Sequence, residues 1–516
     1  MNSTLAMPPK PLVYPWTPDN GDGFYSNPIL CADYSDPDAI RHGDDFWMTA
    51  SSFNCTPGLP ILHSKDLVNW KLVAHAVKNL PHARYAEVQP GCGIWAPAIR
   101  FHAGKFWIFF PTPDEGIYVT TATHPAGPWT EPHLMQAGMG LIDPCPLWDD
   151  DGRAYLVHAY AFSRAGFCHK LRVCEMAMDG SRLLDEGQIV FDAPGRQPTI
   201  EGPKFLKRDG WYYILAPAGG VQTGWQTVLR SKNIFGPYEE KIVLEQGRTP
   251  INGPHQGALV DTPNGEWWFI HFQDAGVYGR VTHLQPVRWV DGWPLMGRDH
   301  DGNGIGEPVS HFQKPAIATP VEIRAPQSSD EFDAPQLGLQ WQWHANHEGD
   351  WCSLTARKGW LRLFARPVAN NDLAKTPNLL LQKCPARSFV VETTVESNAT
   401  EAGLVVMGRT WSALAVRRDG KQHQLVRRGG DGEIILCDLA PGLVTLRLEL
   451  SDGGGCAFSF RSARDEWLRA PGDFQATAGV WISAKVGIYC LAIDGAPDEF
   501  ADFDYFRFAA PTKSLA

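Results

Sequence analysis

Five stretches of the chain decide its fold: SDPDAIR at 35–41, WAPAIR at 95–100, IDPCPLW at 142–148, EGPKFL at 201–206 and NGPHQGALV at 252–260. Each places a proline at the entry to a short apolar strand. A turn follows (HGDD, HAGK, DDDGR, KRDG and TPNGE in order), then an aromatic-rich strand: FWMTASS, FWIFFPT, AYLVHAY, WYYILAP and WWFIHFQ. The marker prolines Pro37, Pro97, Pro144, Pro203 and Pro254 recur every 47 to 60 residues. That interval holds four short antiparallel strands with their loops, which is one propeller blade. Proline is tolerated at the first position of a strand, where no ladder donor is needed. Three repeats add a turn ending in an aromatic, SKDLVNW to Trp70, PAGPW to Trp129 and SKNIFGPY to Tyr238, which suits an outer strand folding back. Helical periodicity is nearly absent. The pattern predicts an all-β chain with a five-bladed β-propeller over 20–315.

Beyond the repeats, KPAIATPVEIRAPQS at 314–328 carries three prolines and few large apolar residues, so a linker is placed at 316–328. Runs such as GWLRLFA, SFVVETTVE, LVTLRLELS and ADFDYFRFA then alternate with period two between turn residues. They predict an antiparallel β-sandwich of jelly-roll type over 329–512.

Composition narrows the partners. A net charge of −11 over 516 residues argues against nucleic acid and anionic membranes, whose phosphates need a basic face. A neutral substrate fits better. Most of the 20 Trp, 25 Phe and 13 Tyr serve core packing, and the remainder are candidate platforms for the apolar face of a sugar. No apolar run reaches the roughly 18 residues of a membrane span. The start, MNSTLAMPPKPLVYPW, lacks a basic segment followed by an apolar one, and the 11 cysteines are scattered without a C-x-x-C pair. Both features point to reduced thiols and a cytoplasmic location. A homo-oligomer stays open.

In a propeller the innermost strands line a central channel, and the residues at their starts converge on one mouth. Asp36, Trp95, Asp143, Glu201 and His255 therefore come together although far apart in sequence. Glycoside cleavage needs an acid for the leaving oxygen and a base for a water on the opposite face. A third carboxylate can hold the acid's geometry and protonation. Taken singly, an Asp before Pro is a turn residue and a Glu before Gly-Pro a solvated charge. The strength lies in phase, because the acids fall near the same repeat position in blades one, three and four. Trp95 is a sugar wall or blade core, and His255, by its place alone, a satisfied core histidine.

The motifs YSDPDAIR, GIWAPAIR, LIDPCPLW, IEGPK, GPHQG and LQPVRW together resemble glycoside hydrolase family 43, and the ending ADFDYF resembles the C-terminal domain of its β-xylosidase branch. The resemblance implies β-xylosidase or α-L-arabinofuranosidase activity with inversion, acting on xylo-oligosaccharides or arabinoxylan fragments. It implies Asp36 as base, Asp143 as modulator of the acid's pKa and Glu201 as acid. Arg288 resembles the family's arginine near the base, and Phe53 in the loop FNCTPGLP is a candidate shaper of the subsite. His255 resembles a channel histidine that contacts a divalent cation, usually calcium, while His271 reads as structural. In this branch a sandwich loop often brings an aromatic to the pocket mouth. In the matching stretch GVWISAKVG, Lys485 stands where Phe is expected, which leaves Trp481 as the substitute or the sandwich without a wall.

The loop RDHDGNGIGE resembles half an EF-hand, but Ser310 stands where the bidentate Glu belongs, so a plain polar loop is favoured. Nucleotide-binding, zinc-protease and α/β-hydrolase motifs are missing. Two other readings are weaker. A non-catalytic sugar-binding propeller would not need three phased carboxylates. A retaining fructan-type hydrolase would resemble W-x-N-D-P-N and E-C, where this chain has YSDPD and EGP.

Overall fold

The computed structural model describes residues 14–317, 321–367, 372–430, 432–462, 466–492 and 498–511. The stretch 1–13 read for a leader, three linker residues (318–320) and residue 512 lie outside them. The repeats form five four-stranded antiparallel sheets. Their innermost strands are Asp38–His42, Ala98–His102, Leu141–Trp148, Lys204–Arg208 and His255–Asp261, each entered just past its marker proline or across it. The second strand of each blade carries the aromatic run and is largely buried, as in Lys105–Thr112 and Ala154–Tyr160. The turn signatures end where the outer strands begin: Trp70 opens the strand Trp70–Val77, and Tyr238 precedes Glu239–Leu244. Phe24–Ser26 pairs with His311–Gln313 and ties the two ends of the propeller together. Among the described residues the one α-helix is the four-residue Phe162–Ala165, and no helix is long and apolar enough to cross a membrane.

The second unit is two eight-stranded sheets packed face to face. Leu404, Val486, Phe458 and Phe503 meet in one core, which also takes in Tyr278 and Val281 from the fifth blade. The two units share a polar seam as well. Thr56 and Trp343 exchange main-chain hydrogen bonds of 3.1 and 2.6 Å, and Asn54 Nδ2 donates to the His344 carbonyl at 2.7 Å.

Candidate active site

The local backbone explains why carboxylates arrive at one mouth. Asp36 and Asp143 precede their prolines with φ of 52° and 56°, in the left-handed region. Aspartate is among the few non-glycine residues that tolerate it. In blade four that place belongs to Gly202, φ 61°, and Glu201 stands one position earlier. The register is thus staggered by one: Glu201 shares its place with Trp95, not with the two aspartates.

Asp36 is nearly enclosed, its side chain 6% exposed against 30% for Glu201. Oδ2 of Asp36 accepts from the Ser35 and Ser51 hydroxyls at 2.7 and 2.6 Å, and Oδ1 accepts from Nη1 of Arg280 at 2.9 Å. Three donors on one carboxylate fix its position and aim it. Asp143 Oδ2 accepts from the Gly202 N–H at 2.7 Å, which fixes the peptide next to Glu201. Burial first, and then the neighbouring Glu201 carboxylate, push Asp143 up to about 7, with the Gly202 N–H opposing and Asp36 adding to the rise. Asp143 therefore keeps its proton up to about neutral pH.

These groups line a cavity of about 420 Å³, whose walls include Phe53, Trp95, Phe162 and Trp481. The ring centroids of Phe53 and Trp95 lie 6.3 Å apart, as do those of Trp95 and Trp481, and the Arg164 guanidinium sits 5.1 Å from the Trp95 centroid. Trp481 comes from the sandwich and is 46% exposed over the mouth, so the sandwich does supply an aromatic wall. Lys485 is instead buried between the domains, with Nζ 2.9 Å from Cys55 Sγ.

Arg288 is a correction. It sits near the far end of the strand Arg280–Val290, pairs with Leu295 and lines a separate surface groove with Asp291 and Asp299. Eight residues of strand place it ~27 Å from Arg280. The reason is topological. First strands leave the mouth and second strands return to it, so third strands begin there. Arg280 opens its strand, and its guanidinium holds Asp36. The repeats carry that rule, and it points to the first arginine of the strand. Gln256 had no such signal. It lines the cavity with a buried, unpartnered Nε2, a donor free for a sugar hydroxyl.

His255 is fully buried, with Nε2 3.0 Å from Glu201 Oε1 and Nδ1 without a partner. Among the described residues no group of three or more His, Cys, Asp and Glu is arranged to hold an ion. Calcium takes six to eight oxygens. The side chains fit an ion held at Nδ1 and completed by waters, not a cage built by the protein. His271 Nδ1 bonds the Phe272 carbonyl at 3.0 Å, and burial lowers its ring to about 4, a structural histidine. In the loop 298–307, Asp299 accepts from the N–H groups of Gly302 and Gly304 at 2.8 and 3.0 Å, as a polar turn does.

Residues 25–294 match glycosyl hydrolases family 43, and residues 329–509 match the β-xylosidase C-terminal concanavalin A-like domain. The chain belongs to glycoside hydrolase family 43. It is a glycoside hydrolase, and the family's chemistry is a single displacement with inversion. A Xylanibacter ruminicola protein, named provisionally as a β-xylosidase, is 44% identical over 419 residues, 81% of this chain and 76% of its own. A non-reducing-end α-L-arabinofuranosidase of Bacteroides ovatus is 29% identical over 542 residues, covering 94% of each chain. Among solved structures, a xylan β-1,4-xylosidase from Bacillus halodurans is similar with a TM-score of 0.81 and 26% identity, covering 94% of this chain and 99% of its own.

Proposed function

We propose that this chain removes single xylose or arabinofuranose units from the non-reducing ends of xylo-oligosaccharides or arabinoxylan fragments. The observation that carries the reading is one cavity holding an enclosed carboxylate gripped by Arg280 together with the Asp143 and Glu201 carboxyls. Asp36, aimed by its three donors, takes a proton from a water that attacks the anomeric carbon. Glu201, the more exposed acid, gives its proton to the departing glycosidic oxygen. Asp143 holds the Glu201 peptide through Gly202 and itself stays protonated up to about neutral pH.

Trp95 and Phe53 give the sugar an apolar wall, and Trp481 and Phe162 meet the leaving group at the rim. A divalent cation at His255 Nδ1, with calcium the expected ion, would fix the tautomer whose Nε2–H donates to Glu201 Oε1. The eleven cysteines are all free, which supports a reducing compartment. The test is a panel of aryl β-xylosides and α-L-arabinofuranosides with product analysis on xylo-oligosaccharides. Release of pentose one unit at a time is the expected result, and no turnover on any pentoside would refute the reading.

A further inference from the structure

The loop that carries Asp36 is also gripped by the sandwich, through a residue outside the cavity. Asp33 is buried, three positions before Asp36. Its carboxylate accepts main-chain hydrogens from both domains: Oδ1 from the Arg280 N–H at 2.9 Å, and Oδ2 from the Ser483 N–H at 2.8 Å. Arg280 is the residue whose guanidinium holds Asp36. Ser483 lies two positions past Trp481, in the loop that supplies the pocket rim. The Asp33 carbonyl accepts from Lys383 Nζ at 2.6 Å, a second tie from the sandwich. The joint is tight, since a Cβ at Gly279 would lie 2.6 Å from Asp33 Cγ and 2.7 Å from the Ser483 nitrogen.

We propose that Asp33 is a positioning residue that couples docking of the sandwich to the base. It sets Arg280 against Asp36 and Trp481 over the mouth with one carboxylate. Two N–H donors need two acceptor oxygens, which an amide in its place cannot offer. The sandwich is then part of the catalytic unit and not an appendage. This rests on Asp36 being the base.

The test uses the full chain and an aryl β-xyloside, with pH profiles of kcat/KM for Asp33→Asn, Gly279→Ala and Asn79→Ala. Gly279→Ala drives a methyl into the same joint while keeping the carboxylate. Asn79 exchanges hydrogen bonds of 3.0 Å with His347 elsewhere on the domain seam and serves as the control. Asp36 faces Arg280, the Ser35 and Ser51 hydroxyls and, across the cavity, Asp143 and Glu201. Of these, Arg280 is the one whose main chain Asp33 holds, and its Nη1 also donates to Ser35 Oγ at 2.9 Å.

Both joint variants should lower kcat/KM roughly tenfold, the effect of weakening one charge-assisted hydrogen bond, and move the acid limb to higher pH. Asn79→Ala should leave the limb in place. Should Asp33→Asn fail to fold, Gly279→Ala decides. An unmoved acid limb in the joint variants, or an equal move in Asn79→Ala, would overturn the coupling. A fully active Asp36→Asn would instead overturn the reading of the base, whatever Asp33 does.

Discussion

The floor and the rim of the cavity are built in different ways. The floor is one solution repeated: Asp36 and Asp143 occupy the same left-handed position of their blades, and Glu201 stands one place before it. Its residues come from the propeller alone. The rim combines Phe162 from the propeller with Trp481 from the sandwich, and the two domains are joined across a seam of hydrogen bonds. Chemistry follows from blade geometry, then, while the leaving-group side depends on how two domains dock. Variants of the floor should destroy turnover, and variants of the rim should redistribute it.

The largest effects are expected at the floor. Asp36→Asn and Glu201→Gln should each lower kcat by roughly 10²–10⁴, the usual contribution of a general base or acid, with circular dichroism unchanged. Next comes the pair of arginines. Arg280→Met should cost about 10- to 100-fold in kcat/KM, the scale of a lost hydrogen bond between charged groups. Arg288→Met should leave kinetics unaltered, and an equal loss from Arg288 would contradict the strand topology.

At the rim, Trp481→Ala should raise KM for xylobiose about fivefold, the scale of one stacking contact, and leave an aryl xyloside less affected. Equal effects on both substrates would place Trp481 over the reacting sugar instead.

Protonation gives a smaller, signed effect. Asp143 sits at about 7, so it is protonated in the folded state at pH values where the unfolded chain has lost that proton. The folded chain thus binds more protons between its ordinary value and about 7, and stability falls as pH rises through that window. Asp143→Asn should therefore raise the melting temperature relative to the parent at pH 8 and change it little at pH 4. The activity of the parent should decline on the alkaline side as Asp143 loses its proton. A melting-temperature difference independent of pH would refute the assignment.

Much of the floor was legible in sequence because it is periodic. A marker proline every 47 to 60 residues fixes the blade, and the blade fixes which side chains reach the mouth. The one-place stagger of Glu201 was hidden, since it depends on Gly202 taking the left-handed conformation in place of an acid. Motif likeness points to Arg288, whereas strand direction puts the arginine of the base eight residues earlier, at Arg280. Trp481 was visible as an aromatic but its place was not, because docking of the sandwich rests on contacts such as Asp33 with Ser483, 450 residues apart. Gln256 left no trace, as a buried unpartnered amide has no pattern of its own.

The roles of the two carboxylates are tested most directly by the dependence of rate on the leaving group. A Glu201→Gln variant should lose the most on xylobiose, whose sugar leaving group needs a proton, and the least on an aryl xyloside with an acidic phenol. Asp36→Asn should lose equally on both, since water activation is required whatever departs. Equal losses for Glu201→Gln on the two substrates, or a selective loss for Asp36→Asn, would contradict the assignment of acid and base.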